Sequence, residues 1–469
     1  KKSDSDARPS HDYLLFGRDP GEEVPTFAHA ASLQAAVSQQ CERTAQLLRR
    51  ADAILVGTGA GWSADSKLAT YKDVADVPAL LSAGLSYYDL CQTHWIRDDP
   101  SVFYGFWGYC LEAYRHALPH PGYDVIRRWS NDVLNQRSWR FRKTFLAAGI
   151  PPLFVYSSNV DGHWLRNGLF REDELFEFHG TAEEWCCSGS AASGAAMVPC
   201  CQQVWSVPPD FNFVVDDATM RAESTSDEPS PAVHGESAHA QSSAPETKSE
   251  ADGPVPCPFR LAVAQLNPNR PRCPFCQSLL RPRVLHFNDG KFFEREGQRS
   301  RFEAWKGCVW DCMELSGAPL GDGPHDSSQH VLNESQAPDT PGFCLVLLEF
   351  GCGLNVPTIR RDFATLLDMY PENCVLVRVN PDFPLVLDAE DRQRVEVMSS
   401  ALAFVQEVDR ILTHGAGATA AKGASAAKSG VAKAGAAKAG PKAAAKAAAK
   451  ASTTAASPSR RSPSRGKRK

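Results

Sequence analysis

The sequence predicts an α/β fold, a mostly parallel sheet with helices on both faces, carrying polar insertions and a basic tail. Three observations support this. Short apolar runs ended by Gly or Asn recur at 53–59 (AILVGTG), 152–159 (PLFVYSSN), 344–351 (CLVLLEFG) and 374–380 (CVLVRVN). Helical patterns such as VPTIRRDFATLLDMY separate them, and strand–helix alternation argues for parallel pairing with both faces covered. Charge is also segregated. The 469 residues carry a net charge of -5, but 415–469 hold 13 Lys and Arg and no Asp or Glu, leaving 37 basic against 55 acidic residues elsewhere.

The elements follow in order. Residues 1–45 begin polar and then place Leu33, Ala36, Val37, Ala45, Leu47 and Leu48 at helical spacing, an amphipathic helix leading into the first strand. Polar and aromatic helical stretches run to about residue 148. Segments 216–256 and 315–341 are rich in Ser, Pro, Ala, Glu and Asp with almost no large apolar side chain, and read as disordered surface insertions. The Ala/Lys tail has no apolar face to pack and reads as disordered when free. At 43% hydrophobic residues the chain is not wholly disordered, and its longest apolar run is strand-sized, far short of a membrane span. The first residues, KKSDSDARPSHDY, lack the apolar stretch of a secretory signal and begin without Met, as a trimmed chain would. Fifteen cysteines spread over this length read as a reducing compartment with one metal site, not a disulfide framework.

Four motifs carry chemistry. Gly57-Thr58-Gly59-Ala60-Gly61-Trp62-Ser63 follows a buried strand, where glycines let the backbone turn sharply and approach a phosphate at a helix N-terminus. It departs from the usual dinucleotide spacing, and a tight strand–helix turn is the plain alternative. Tyr156-Ser157-Ser158-Asn159-Val160-Asp161-Gly162-His163 follows the second strand. Asn and Asp there can bond amides and ribose hydroxyls, or simply close an Asx turn. In Phe176-Glu177-Phe178-His179-Gly180 the imidazole is a candidate general base or a structural histidine. Cys273-Pro274-Phe275-Cys276 is a knuckle that holds two thiolates on zinc. The upstream pairs Cys186/Cys187 and Cys200/Cys201 offer two more, or all are buried thiols without metal. Spacing from His179 favours Cys187, whereas Cys200 and Cys201 are not separable.

The order of these motifs, continued by LRPRVLHFND, GCGLNVPT and VNPDFP, resembles the sirtuin family of NAD-dependent protein deacylases, in particular divergent bacterial and protist members whose loop also reads S-N-V-D-G-H. The resemblance runs from about residue 49 to 412, less the insertions. It implies a Rossmann-like domain over 46–185 and 291–412 and a small zinc module over 186–290, with an N-terminal extension (1–45) and a basic tail (413–469). It implies that Gly59, Ala60, Gly61 and Ser63 cradle the NAD phosphates, with Tyr71 and Lys72 on the same side. Ser158, Asn159 and Asp161 would face the nicotinamide ribose, and Gly351, Gly353 and Asn380 the adenosine end. His179, with Asn159 and Asp161, would be catalytic. Cys187, Cys200, Cys273 and Cys276 would hold a structural zinc, and 284–287 would pair with the acyl-lysine peptide. In such enzymes the acyl oxygen attacks the ribose carbon bearing nicotinamide, and the histidine takes a proton from a ribose hydroxyl.

Departures from the family pattern are specific. Lys67-Leu68-Ala69-Thr70-Tyr71-Lys72 stands where sirtuins read G-I-P-D-F-R, Ser158 replaces a Gln, and Gln277 replaces a Gly. They leave two further readings beside the deacylase (a transferase that makes O-acyl-ADP-ribose). One is an ADP-ribosyltransferase or NAD hydrolase, and the other a non-catalytic NAD- or chromatin-binding scaffold. The tail predicts phosphate contacts without base readout, hence contact with chromatin or nucleic acid, or else is a solvated, non-specific tail; the location is nuclear or cytoplasmic, with nuclear favoured, and acylated histone lysines are among the candidate substrates. No membrane partner is expected.

Overall fold

A strand that is apolar on both faces is stable only where both faces are covered. The first such run forms β1 (Ala53–Thr58), buried at every position. Ile54 and Val56 enter one hydrophobic core, Ala53 and Leu55 the other, as the two-residue period of a strand requires. The computed structural model describes residues 24–70, 77–132, 139–189, 198–224, 269–317, 342–387 and 389–414. The chain divides into two units, 1–416 and 417–469, and every described residue belongs to the first.

Helix α1 (Phe27–Arg50) precedes β1 and is capped by Thr26, whose side chain accepts from the His29 N–H. After β1 come α2 (Ala60–Ala64), α3 (Pro78–Ser82), α4 (Tyr87–Leu90), α5 (Trp95–Asp98), α6 (Pro100–His116), α7 (Gly122–Asp132) and α8 (Trp139–Ala148). Then follow β2 (Leu153–Ser157), β3 (Leu175–Glu177), β4 (Gly180–Cys187), β5 (Val204–Ser206), β6 (Leu280–Val284) and α9 (Glu296–Gly317). The chain returns through β7 (Leu345–Phe350), α10 (Thr358–Met369), β8 (Cys374–Val379), β9 (Arg394–Val397) and α11 (Ala401–His414).

Two sheets result. The larger has six strands in the order β3-β2-β1-β7-β8-β9, all parallel. The direction of strand progression reverses between β1 and β7, and a reversal of this kind opens a crevice at the carboxyl ends of the two strands. The smaller sheet, β5-β4-β6, is antiparallel. Its core takes in Leu90, Phe103, Trp107, Trp185, Trp205 and Leu280. Glu349 of β7 is fully buried between Arg378, whose Nη2 donates to its Oε2 at 2.9 Å, and Arg360, at 3.6 Å.

Several boundaries differ from the sequence reading. Helix α1 does not end an extension at residue 45. It runs to Arg50 and lays Cys41, Ala45 and Leu48 in the core of the parallel sheet. The stretch 78–111, expected with the large domain, packs in the core of the small sheet, and β4 starts at Gly180 rather than 186. The expected insertion from 216 begins later. Asp216 pairs with Arg221, and Met220 and Ala222 are buried, while 225–256 lie outside the described residues. Residues 315–317 end α9, and 413–414 end α11. The rest of the second insertion, 318–341, and the tail from 415 lie outside the described residues. Among the described residues no helix is long and apolar enough to cross a membrane.

Candidate active site and cysteine cluster

The crevice is built by backbone contact between two glycine turns. The Gly59 N–H donates to the Phe350 carbonyl at 3.0 Å, and the Gly61 N–H to Gly351 at 2.9 Å. A Cβ at Gly61 would lie 2.6 Å from the Gly351 Cα. Gly351 has φ +60, and a Cβ there would lie 2.4 Å from Gly61. Both positions therefore require glycine. The Gly59 and Gly61 N–H groups are already spent on the wall, and of the four residues expected to cradle phosphate it is Ala60 and Ser63 that line the cavity.

That cavity, about 350 Å³, is also lined by Ser158, Asn159, Asp161 and His179. Their side chains interlock. Asn159 Nδ2 donates to the Gly59 carbonyl at 2.9 Å and to Ser63 Oγ at 3.0 Å. Ser63 Oγ donates in turn to Asp161 Oδ2 at 2.5 Å, while Asp161 Oδ1 accepts from the His163 N–H. Ser158 hangs from the end of β1, its N–H donating to the Thr58 carbonyl at 3.0 Å. The Ser158 carbonyl lies 3.0 Å from His179 Nδ1. A carbonyl only accepts, so Nδ1 carries the proton and Nε2 holds the lone pair. Thr358 Oγ1, at the start of α10, is 3.4 Å from that Nε2. Burial pulls the His179 pKa down to about 4, partly offset by the bond to Ser158, so the ring is neutral at neutral pH with a free lone pair on Nε2.

The residues expected at the adenosine end lie just beyond β7 and β8. Asn380 Nδ2 donates to the Cys352 carbonyl at 2.9 Å, and its Oδ1 accepts from the Asp382 and Phe383 N–H groups. It holds the loop after β7 to the loop after β8. Neither it nor Gly351 nor Gly353 lines the cavity. Tyr71 and Lys72 lie outside the described residues. In the segment expected to bind peptide, the Leu285 N–H already donates to His179 and the Phe287 N–H to Cys91. Val284 to Asp289 nevertheless line the cavity. Thr358, at the end of the GCGLNVPT motif, and Leu68, in the altered 67–72 loop, line it too, as does Tyr114, which no motif marked.

Beyond the end of β4, Cys187, Cys200, Cys273 and Cys276 bring their sulfurs within 4.8 Å of one another. The separations 187–276, 187–200 and 200–273 are 3.6, 3.7 and 3.5 Å. Zn–S bonds of about 2.3 Å in a tetrahedron place sulfurs roughly 3.8 Å apart, whereas a disulfide is about 2.05 Å. All four thiols are free, so the donor set and spacing fit zinc. Cys186 and Cys201 are not in the set. Gln277, after the knuckle, has φ 61, and Lys67 has φ 67. Both stand where the family pattern reads Gly, in a backbone region that costs other residues energy.

No family model matches the chain. An NAD-dependent protein deacylase 2 of Pseudomonas aeruginosa is 31% identical over 152 residues, covering 32% of this chain and 52% of the relative. The chain thus spans about half the length of that curated relative. Among solved structures, a Sir2 homologue in complex with NAD aligns with 79% of this chain and 93% of its own, at 14% identity and a TM-score of 0.41. A Sir2 complex with a p53 peptide and NAD+ aligns with 80% of this chain and 97% of its own, at 13% identity and a TM-score of 0.38. Both structural likenesses are weak. Over those 152 residues the chain is similar to an NAD-dependent protein deacylase.

Proposed function

We propose that the chain is an NAD-dependent protein-lysine deacylase, releasing nicotinamide and an O-acyl-ADP-ribose. The observation that carries this is the meeting of Ser63, Asn159, Asp161 and a neutral buried His179 in one cavity at the strand-order reversal. When bound, NAD supplies a ribose carbon that gives up nicotinamide and receives the acyl oxygen. The chain supplies position and a proton acceptor. Asn159 and Asp161 fix Ser63, and through it the turn on which the dinucleotide rests. His179 is held by Ser158 in the tautomer whose Nε2 takes a proton. Leu68, Phe178 and Val284 give the cavity apolar walls that limit water. Zinc on the four cysteines would be structural, since the cluster fills its coordination sphere.

The substrates proposed are acyl-lysines on proteins, histones among them. The tail's 13 cations support contact with nucleic acid or chromatin and a nuclear location. Nicotinamide release from NAD, with and without acyl-lysine peptides, tests the reading. Release that requires the peptide is expected. Release without it favours ADP-ribosyl transfer or hydrolysis, and no release from folded, zinc-loaded protein favours a scaffold. Loss of DNA binding on deleting 415–469, with a steep salt dependence before deletion, tests the tail.

A further inference from the structure

The cofactor turn is held from behind by a residue that no motif announced. His120 sits in the loop between α6 and α7, buried against Trp62 and Tyr123, with ring centroids at 4.5 and 4.9 Å. The Gly122 N–H donates to its Nδ1 at 3.0 Å, so Nδ1 holds a lone pair. In the neutral ring the proton is then on Nε2, which lies 3.0 Å from the Trp62 carbonyl. Its own N–H donates to Ser66 Oγ at 3.0 Å. One residue thus joins the start of α7 to both ends of the 62–66 segment.

We propose that His120 is a positioning residue for the cofactor turn, clipping the Trp62 carbonyl so that Ser63 meets Asn159 and Asp161. The claim deepens the NAD reading and rests on it for the identity of the ligand. Trp62 and Ser63 are adjacent, so a shift of the Trp62 peptide moves Ser63 off Asp161 Oδ2, 2.5 Å away. Trp62 itself has little freedom, stacked on Trp164 at 5.5 Å with planes 4° apart. Gly122 is part of the device, because a Cβ there would lie 2.5 Å from the imidazole.

The side-chain amides of Gln and Asn separate the two ring contacts. Gln reaches to the place of Nε2 and keeps a donor for Trp62, whereas Asn reaches only to the place of Nδ1 and keeps the Gly122 contact. Hydrogen–deuterium exchange of residues 59–66 is read in the NAD-free protein, and NAD binding by calorimetry. His120→Asn is expected to speed exchange in the turn and weaken NAD about tenfold, the order of one lost hydrogen bond. His120→Gln is expected to restore both, and Gly122→Ala, which displaces the ring without deleting it, to resemble His120→Asn. Asn behaving as wild type, or Gln failing where Asn succeeds, overturns the proposal. If wild type binds no NAD, the functional reading falls, and the exchange comparison still decides whether His120 holds the turn.

Discussion

At the carboxyl end of the parallel sheet, Ser63, Asn159, Asp161 and His179 each bond to another part of the chain. At the end of the antiparallel sheet, the cysteine sulfurs lie chiefly against one another. The first region is shaped by backbone packing, glycine turn against glycine turn. The second gathers four thiols from separate segments into a donor set that fits zinc, with Cys187 and Cys273 also buried in the apolar core of the small sheet. Zinc on the four thiols would tie those segments together.

The predictions test that contrast from the largest effect to the smallest. Cys273→Ser should abolish zinc binding, read as metal per chain, and melt the small sheet around Trp185 and Trp205. In small zinc domains the binding free energy, about 10–16 kcal/mol, is folding free energy. Survival of the small sheet in the metal-free variant would break the comparison. His179→Ala should lower the peptide-dependent rate by about 10²–10⁴ while leaving the melting profile nearly unchanged. The sign of the pH effect follows from the depressed pKa. The folded ring stays neutral until pH approaches about 4, so the acid limb attributable to His179 lies near there. The unfolded chain takes up its proton near 6.5, so His179 costs stability as pH falls below that value. A pH–rate profile with no limb in that region would remove His179 as the base.

Gly351→Ala meets both a positive φ and the backbone of Gly61. It should destabilise by roughly 2–5 kcal/mol and weaken NAD binding, measured by denaturant unfolding and calorimetry. Gln277→Gly is the mirror case. It relieves a left-handed residue whose side chain makes only a long bond to the Pro274 carbonyl, and should raise stability of the zinc-loaded protein by about 0.5–1 kcal/mol. If Gln277→Gly is neutral while Gly351→Ala is severe, close approach matters more than φ in this molecule.

The strands were legible because a buried parallel strand is a short apolar run, and β1, β2, β7 and β8 each match one to within a residue or two at either end. Asn159, Asp161 and His179 were legible because they follow strand ends, where side chains enter the crevice. Cys187 followed from its spacing. Membership of the second core was not legible. The 78–111 stretch precedes most of the partners it packs on by about a hundred residues or more, and periodicity does not reveal a distant partner. His120 was missed for the same reason, since its bonds to Trp62 and Ser66 cross more than fifty residues, and nothing in the GCGLNVPT motif pointed to the contact of Thr358 with His179. The glycine turn was legible as a turn, but its close approach to Gly351 across the fold was not.

The buried arrangement of Glu349 with Arg360 and Arg378 constrains how this sequence can change. Replacing either arginine still leaves a matched pair, whereas replacing Glu349 leaves two buried guanidiniums without their carboxylate, at about 3–5 kcal/mol. That is a large fraction of a domain's total stability. Single-step loss of Glu349 is therefore closed, although exchanging the whole set for apolar side chains is energetically open. The three residues bind the loop after β7, the sheet and α10 into one inherited block.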